Sequence, residues 1–194
     1  LVDSSVVTEF TKLLLNEVRS MKQGDPQNED TEIGSVISIQ HLEKVESYVK
    51  LAKQEGGTIL TGGKRPSLSS SQNSDGAFLE PTVISGLDIN SRTATEEIFG
   101  PVVTLHTFEN QDQAIEMANS TEYGLAGSVW TRDLERGRQF SQQIDTGIMW
   151  VNTWLHRDLR TPFGGVKNSG VGREGGQWSL SFFSEMTNIC VKQD

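Results

Sequence analysis

Short apolar runs alternate with amphipathic runs in the second half of the sequence, and this alternation constrains the fold more than any other feature. Strand-like runs at 102–108, 126–131 and 148–152 are separated by helix-like runs at 111–119 and 134–144. Strands of this length that alternate with helices are typical of a parallel sheet with helices packed against it. The sequence therefore predicts an α/β fold.

The first half of the sequence predicts two helices. Apolar residues recur at helical spacing in 6–22, and Ser38 is placed to cap a second helix that runs to about residue 55. A short extended piece is expected at 33–38 and a short strand at 58–60. These elements add a helical layer to the predicted sheet.

The last residues of the chain, SFFSEMTNICVKQ at 181–193, predict a terminal strand. Their apolar side chains alternate at Met186, Ile189 and Val191. A terminal strand of this kind pairs readily with the edge of another sheet, including one in a second subunit. We therefore expect the chain to associate through this segment.

Charge and composition exclude several classes of function. The chain has 17 basic and 26 acidic residues and a formal charge of −9, which would repel a nucleic-acid backbone. Its apolar runs are all shorter than the roughly 20 residues that cross a bilayer. The only cysteine, Cys190, cannot form an internal disulfide, which fits a reducing, cytoplasmic location. We expect neither nucleic acid nor a membrane as a partner.

Glycine-rich segments mark loops. Residues 62–77 contain five serines and predict an exposed loop, and residues 161–176 contain six glycines. A G-x-G-x-x-G pattern occurs at Gly170, Gly172 and Gly175, but it follows a loop and no acidic residue lies roughly 20 positions further on. We interpret this pattern as a chance match and not as a dinucleotide fingerprint. The three histidines lack metal-ligand spacing, so we expect no metal site.

The stretch TEEIFGPVV at 95–103 places two acids before an aromatic ring and a Gly-Pro bend. In one reading Glu96 and Glu97 are surface carboxylates and Phe99 fills the core. In the other, a carboxylate accepts hydrogen bonds from a ribose diol while the ring packs against a flat heterocycle. Composition alone does not decide between them.

Several motifs in order along the chain resemble those of the aldehyde dehydrogenase superfamily. They are EEIFGPV at 96–102 and PFGGVKNSGVGRE at 162–174, with GGK at 62–64, FLEPTV at 78–83, YGLAGSVWTRD at 123–133 and GIMWVN at 147–152. Within the superfamily, WVNTWLHRDLRTPFGG at 150–165 resembles the 2-aminomuconic and 2-hydroxymuconic semialdehyde dehydrogenases. The resemblance covers the whole chain, with only the serine-rich loop expanded.

The resemblance implies a division of the chain. Residues 1–178 would be the distal part of the family's catalytic domain, a parallel sheet with flanking helices. Residues 179–194 would be an oligomerisation strand that joins a second copy or a missing N-terminal half. The family also implies NAD as cofactor and a small semialdehyde as substrate.

The same resemblance assigns candidate residues near NAD. Glu97 would hold the nicotinamide ribose, Phe99 would lie beside the nicotinamide, and Lys44 matches a family lysine near the cofactor ribose. His41 stands where many relatives have glutamine, which leaves its own contact open.

For the substrate, Arg157 takes a position that in the muconic group holds the substrate carboxylate, and Arg160 is the second candidate. A guanidinium offers a planar fork to a carboxylate and keeps its charge when partly buried. Phe163 would line the aldehyde site beside Arg157. The alternative is that Arg157 is a surface residue paired with Asp158.

The family's catalytic cysteine, glutamate and asparagine are not recognisable in these 194 residues. In the family a cysteine thiolate attacks the aldehyde, and Cys190 lies in the terminal segment where it cannot take that role. We therefore expect no activity from the chain by itself. The leading interpretation is a portion of an NAD-dependent semialdehyde dehydrogenase. The alternative is a truncated non-catalytic relative that serves as a structural or binding subunit, and the intact mass of the source polypeptide distinguishes the two.

Overall fold

A computed structural model describes residues 1–68 and 75–193 of the chain. The chain divides into two compact units, Leu1–Ser120 and Thr121–Asp194. The predicted serine-rich loop lies partly outside the described residues, because positions 69–74 are not among them.

The first unit combines short strands with helices of very different length. In chain order its elements are β1 Val2–Asp3, α1 Val7–Ser20, α2 Ile39–Gln54, β2 Thr58–Thr61, β3 Thr82–Ser85, α3 Arg92–Thr95, β4 Val102–Leu105, β5 Thr107–Phe108 and α4 Gln111–Asn119. The strands form one sheet in the order β2-β3-β4 and a separate pair of β1 with β5. β3 is parallel to β4 and β1 is parallel to β5, whereas β2 is antiparallel to β3.

The predicted strand at 102–108 is divided at His106. Its first part, β4, pairs with β3, and its second part, β5, pairs with β1. The Val2 N–H donates to the His106 carbonyl at 2.9 Å, which begins the second pairing. The run is continuous in sequence, but its two halves change partners.

α2 provides much of the core of the first unit. The Ser38 side chain accepts a hydrogen bond from the His41 N–H at 3.1 Å, so the predicted N-cap is confirmed. The predicted apolar face of α2 is buried, as Leu42, Val45, Val49 and Ala52. Leu42, Val45 and Val49 pack with Leu79 and Ile98, whereas Ala52 packs with Ile84 and Leu87.

α1 confirms the predicted first helix but not its burial. None of its residues is buried, and Phe10 and Leu13 are exposed on the apolar face together with the preceding Val6. The spacing of the apolar residues in α1 predicts the helix, but it does not predict what the helix packs against. Burial of that face requires a covering element, which the described part of the first unit does not provide.

The second unit contains the β–α–β alternation that the sequence predicts. Its elements are β6 Tyr123–Gly124, β7 Ala126–Val129, α5 Leu134–Ser141, β8 Ile148–Val151, β9 Val166–Lys167 and α6 Gly176–Phe183. β7 and β8 are parallel and are joined through α5, whereas β6 and β9 are antiparallel. The predicted α/β class is therefore confirmed. The G-x-G-x-x-G stretch follows β9, whose partner is antiparallel, and this is not the context of a dinucleotide fingerprint.

Two predicted extended segments differ from the structure. Residues 34–38 form no strand, and Ile33 makes only a single bridge, to Gln23. The predicted terminal strand begins too early, because residues 181–183 end α6.

Residues 184–193 carry no regular secondary structure, and Met186 is 99% exposed. A strand needs a partner edge to supply its hydrogen bonds, and the described part of the second unit offers none to this segment. Its pairing with another chain therefore stays a prediction, as does the functional division after residue 178, which falls inside α6.

Candidate functional site

The loop 95–101, called here the acidic loop, lies along one face of α2. Three polar side chains of that helix contact it: His41, Lys44 and Tyr48. Their spacing of three and four residues places them in a row on the helix surface. This row runs beside the buried apolar face of α2, so the helix contributes to the core and supports the loop.

Two of these contacts are made to the loop backbone. His41 Nε2 lies 2.6 Å from the Phe99 carbonyl oxygen, so it carries the proton and donates it. The Lys44 ammonium donates to the Glu97 carbonyl oxygen at 3.3 Å. Both contacts use backbone oxygens of the loop, and the Phe99 ring also meets the His41 ring edge-on, with the centroids 6.2 Å apart.

The third contact fixes the first acid of the pair. The Tyr48 hydroxyl donates to Glu96 at 2.6 Å, and the Arg92 guanidinium makes two bonds to the same carboxylate at 2.7 and 3.0 Å. The hydrogen bonds from Arg92, and then that from Tyr48, lower the pKa of Glu96 to about 2. The bond to Glu96 also raises the pKa of Tyr48. Glu96 is therefore a structural carboxylate.

α3, which leads into the acidic loop, is attached to the end of α2 by Glu55. The Glu55 carboxylate accepts bonds from the Arg92 N–H at 2.9 Å, the Thr93 N–H at 3.1 Å and the Thr93 hydroxyl at 2.6 Å. Burial raises the pKa of Glu55, but the bonds from Thr93 and Arg92 outweigh it, so the pKa is lowered. The ionised Glu55 carboxylate therefore accepts hydrogen bonds from the N–H groups at the start of α3.

Close packing completes the course of the loop. Ile98 is buried in the core, and Phe99 adopts the left-handed conformation, with φ 60°. A Cβ on Gly100 would lie 2.7 and 2.8 Å from the two methyl groups of the buried Val45. The loop therefore approaches α2 too closely for any larger residue at position 100.

The result is an alternation of buried and exposed side chains. Glu96 and Ile98 face the protein, whereas Glu97 and Phe99 face solvent, and Phe99 is 75% exposed. The Glu97 carboxylate has no hydrogen bond or ion pair to a described residue. The reading in which Phe99 fills the core is therefore wrong. Glu97 and Phe99 are both exposed, and the Phe99 ring meets only the His41 ring among the described aromatic residues, edge-on, with the centroids 6.2 Å apart.

In the second unit, the loop that follows β8 is fixed at its start. The buried Trp150 donates its indole N–H to the His156 carbonyl at 2.7 Å. The Asn152 side chain makes two bonds to the backbone of Thr131, both of 2.7 Å. These contacts hold in place the backbone segment that leads to Arg157.

Arg157 is constrained on its face and on its edge. Its guanidinium carbon lies 3.9 Å from the centre of the Phe163 ring, and Nη2 bonds to Glu174 Oε1 at 2.6 Å. Phe163 and Glu174 are themselves paired by two backbone bonds of 2.9 and 2.8 Å. The Arg157 side chain remains 36% exposed. The alternative pairing of Arg157 with Asp158 is wrong, because Glu174 takes that place.

Arg160 is the residue that Asp158 binds. Their side chains make three bonds, of which the Nε contacts are 2.9 and 3.1 Å and the third joins Nη2 to Oδ2 at 2.5 Å. Asp158 raises the pKa of Arg160, and Arg160 lowers that of Asp158. The fork of Arg160 is thus already filled by a neighbouring carboxylate.

The sequence analysis did not identify two of the supporting residues. Tyr48 follows Lys44 by four positions on a predicted helix, so helical spacing is a signal that could have found it. Glu174 is 17 positions from Arg157, and only the pairing of its backbone with Phe163 brings it there. The candidate cofactor residues lie in the first unit and the candidate substrate residues in the second.

A cavity of about 820 Å³ in the first unit involves none of these residues. It is lined by residues of α1, α4 and the loop after β3, and by His106. Burial lowers the pKa of His106. Within residues 1–68 and 75–193, no cluster of His, Cys, Asp or Glu could hold a metal ion. None of the helices in these two ranges is both long and apolar enough to cross a membrane.

Comparison with known protein families places this fold and its two loops. The chain belongs to the aldehyde dehydrogenase family, whose model matches residues 1–189. The predicted family membership is therefore confirmed.

Several of the similar proteins are semialdehyde dehydrogenases. The chain is 46% identical over 193 residues to the 2-aminomuconic 6-semialdehyde dehydrogenase of a Pseudomonas species, covering 100% of this chain and 39% of that protein. It is 44% identical over 191 residues to the 2-hydroxymuconic semialdehyde dehydrogenase of Pseudomonas sp. strain CF600, with coverage of 98% and 39%. The chain therefore spans well under half the length of these relatives.

Solved structures agree with this fold. The betaine aldehyde dehydrogenase of Staphylococcus aureus in complex with NAD+ superposes with a TM-score of 0.89 at 38% identity. The match covers 98% of this chain and 40% of that one. The chain thus corresponds to part of a larger structure.

The lowered pKa of Glu96 gives a prediction about stability. A carboxylate whose pKa falls from 4.5 to about 2 on folding stabilises the folded state fully above pH 4.5. That contribution is lost as the pH falls from 4.5 through about 2. We expect Glu96→Gln to lower the urea midpoint at neutral pH, and its difference from the unsubstituted chain to narrow as the pH falls below 4.5.

Glu97→Gln is the matched control, since its carboxylate has no contact with a described residue. It should leave the midpoint unchanged over the same pH range. A constant difference for Glu96→Gln at every pH would contradict the ionised role of this side chain.

Proposed function

We propose that this chain is part of an NAD-dependent dehydrogenase that oxidises a carboxylated semialdehyde to the acid. The observation that carries the proposal is the environment of Arg157, whose guanidinium carbon lies 3.9 Å from the centre of the Phe163 ring and which has one hydrogen bond to a described residue, Glu174. The remaining N–H donors suit a carboxylate. The named activities of the similar proteins point to the same substrate class.

The 194 residues by themselves should not catalyse the reaction. Cys190, the single cysteine of these residues, is exposed in the terminal segment. The nucleophile would come from the remainder of a longer polypeptide. We propose a cytoplasmic location for that polypeptide, in keeping with the absence of cysteine pairs.

NAD fits the exposed pair on the acidic loop. A carboxylate without a protein partner accepts hydrogen bonds from a ribose diol, and an exposed ring offers its face to a flat heterocycle. Glu97 and Phe99 would take these roles, with Lys44 close to the ribose. When bound, NAD accepts hydride from the substrate. The protein's part is to hold the cofactor in one orientation, and the bonds from α2 to the loop backbone serve that purpose.

Removing the Glu97 carboxylate tests the cofactor site. In the full-length enzyme, Glu97→Ala should raise the KM for NAD by a factor that corresponds to about 1–3 kcal/mol, because a charged acceptor is lost. Steady-state assays that follow NADH formation measure it. Glu43→Ala, which removes an exposed acid on α2, is the control. An unchanged KM for NAD in Glu97→Ala would exclude the ribose role.

For the substrate, the two arginines differ in how much of their charge is available. Arg160 is neutralised by a neighbouring carboxylate that fills its fork, whereas Arg157 uses one donor on a described residue, Glu174. We therefore propose Arg157 as the group that binds the substrate carboxylate, with Phe163 lining the site beside it.

Charge removal at Arg157 tests this assignment. Arg157→Ala should lower kcat/KM for a carboxylated semialdehyde by about 1–3 kcal/mol in the transition state and leave an uncharged aldehyde of the same length unaffected. Arg160→Ala should change neither substrate by more than a small factor. Equal losses for the two aldehydes in Arg157→Ala would contradict the carboxylate role.

The terminal segment 184–193 is the proposed contact with a second copy of the chain. Met186, Ile189 and Val191 are all strongly exposed, and apolar side chains of this kind are normally covered in an assembly. Deleting residues 184–194 should lower the sedimentation coefficient of the full-length enzyme at micromolar concentration. An unchanged oligomer would assign the contact to another surface.

A further inference from the structure

Glu174 stands on a rigid piece of backbone. Its N–H and carbonyl both pair with Phe163, and the Gly175 N–H donates to the Ser179 hydroxyl at 2.8 Å. A Cβ on Gly175 would lie 2.3 Å from the Thr161 carbonyl oxygen, so the backbone after Glu174 packs closely against the loop that carries Arg157. The backbone that carries the Glu174 side chain is therefore held in place.

That fixed carboxylate completes the restraint on Arg157. The Phe163 ring contacts the guanidinium, with 3.9 Å between the ring centre and the guanidinium carbon, and the bond from Nη2 to Glu174 restrains its rotation. Both restraints come from a single pair of residues, because Phe163 and Glu174 are opposite each other in a β-bridge. A guanidinium held in this way presents its other N–H donors in one direction.

We infer that Glu174 is a positioning residue that sets the preference for a carboxylated substrate by orienting Arg157. The inference rests on the proposed function, in which Arg157 binds the substrate carboxylate. Glu174 does not touch the substrate. Its effect is to remove the rotamer freedom that Arg157 would otherwise lose when the substrate binds.

The charge of Glu174 has a second effect, in the opposite direction. A carboxylate on one edge of the guanidinium partly neutralises it and repels a second carboxylate nearby. The side chain is 60% exposed, so solvent screens much of this repulsion. Orientation requires only an acceptor oxygen, which glutamine also provides, whereas repulsion requires the charge.

The two effects can be separated by Glu174→Ala and Glu174→Gln in the full-length enzyme. KM and kcat are measured for a carboxylated semialdehyde and for an uncharged aldehyde of equal length. Glu174→Ala should raise the KM for the carboxylated substrate about two- to tenfold, the factor that ordering one long side chain costs, with kcat and the uncharged substrate unchanged. Glu174→Gln should restore a KM equal to or below that of the unsubstituted enzyme.

Glu135→Ala is the matched control, because Glu135 is also an exposed acid paired with an arginine in the second unit. It should leave both substrates unchanged. Equal increases in KM for the two aldehydes in Glu174→Ala, or a KM in Glu174→Gln as high as in Glu174→Ala, would overturn the inference. Should Glu174→Ala not fold, Glu174→Gln decides, since an increased KM for the carboxylated substrate contradicts an orienting role.

Arg157→Ala in the same assays separates the two proposals. If it affects both aldehydes equally, the carboxylate role of Arg157 fails, and the inference about Glu174 fails with it. If Arg157→Ala discriminates between the substrates and Glu174→Ala does not, only the positioning role is wrong.

Discussion

The row of polar side chains on α2 is the constraint on which the first unit depends. Val45 is buried in the core, and His41 and Lys44 on the adjacent face hold the acidic loop by its backbone carbonyls. Because one helix makes both sets of contacts, the position of the loop follows from the packing of the core. A displaced α2 would move the loop as well, so stability and the geometry of the candidate cofactor site are coupled.

Adjacent acids with opposite roles follow from this arrangement. Glu96 turns toward α2 and is held by Arg92 and Tyr48, whereas Glu97 turns outward. Successive side chains of an extended segment point to opposite sides, so one acid can anchor the segment and the next can face a ligand. Replacing Glu96 therefore tests the stability of the folded chain, whereas replacing Glu97 tests the candidate cofactor site.

Local patterns in the sequence predicted most of the elements and few of the contacts. Apolar periodicity gave α2 with its Ser38 cap and the β–α–β alternation of the second unit, because these depend on residues close in sequence. The change of strand partner at His106 and the exposed face of α1 were not predictable in this way. Both depend on which distant segment lies alongside, and neighbouring residues carry no signal for that.

Arg157 and Arg160, in the loop after β8, show the same limit at the level of a site. Proximity in sequence suggests Asp158 as the partner of Arg157. Instead, Asp158 accepts hydrogen bonds from the backbone N–H and the guanidinium of Arg160. Arg157 is left to a distant acid, Glu174, which occupies a single N–H. Arg160, which is bonded to Asp158, is therefore less available to a ligand than Arg157. Arg157 retains donors beyond its bond to Glu174. The two residues are far apart in sequence, and the β-bridge between Phe163 and Glu174 brings them together.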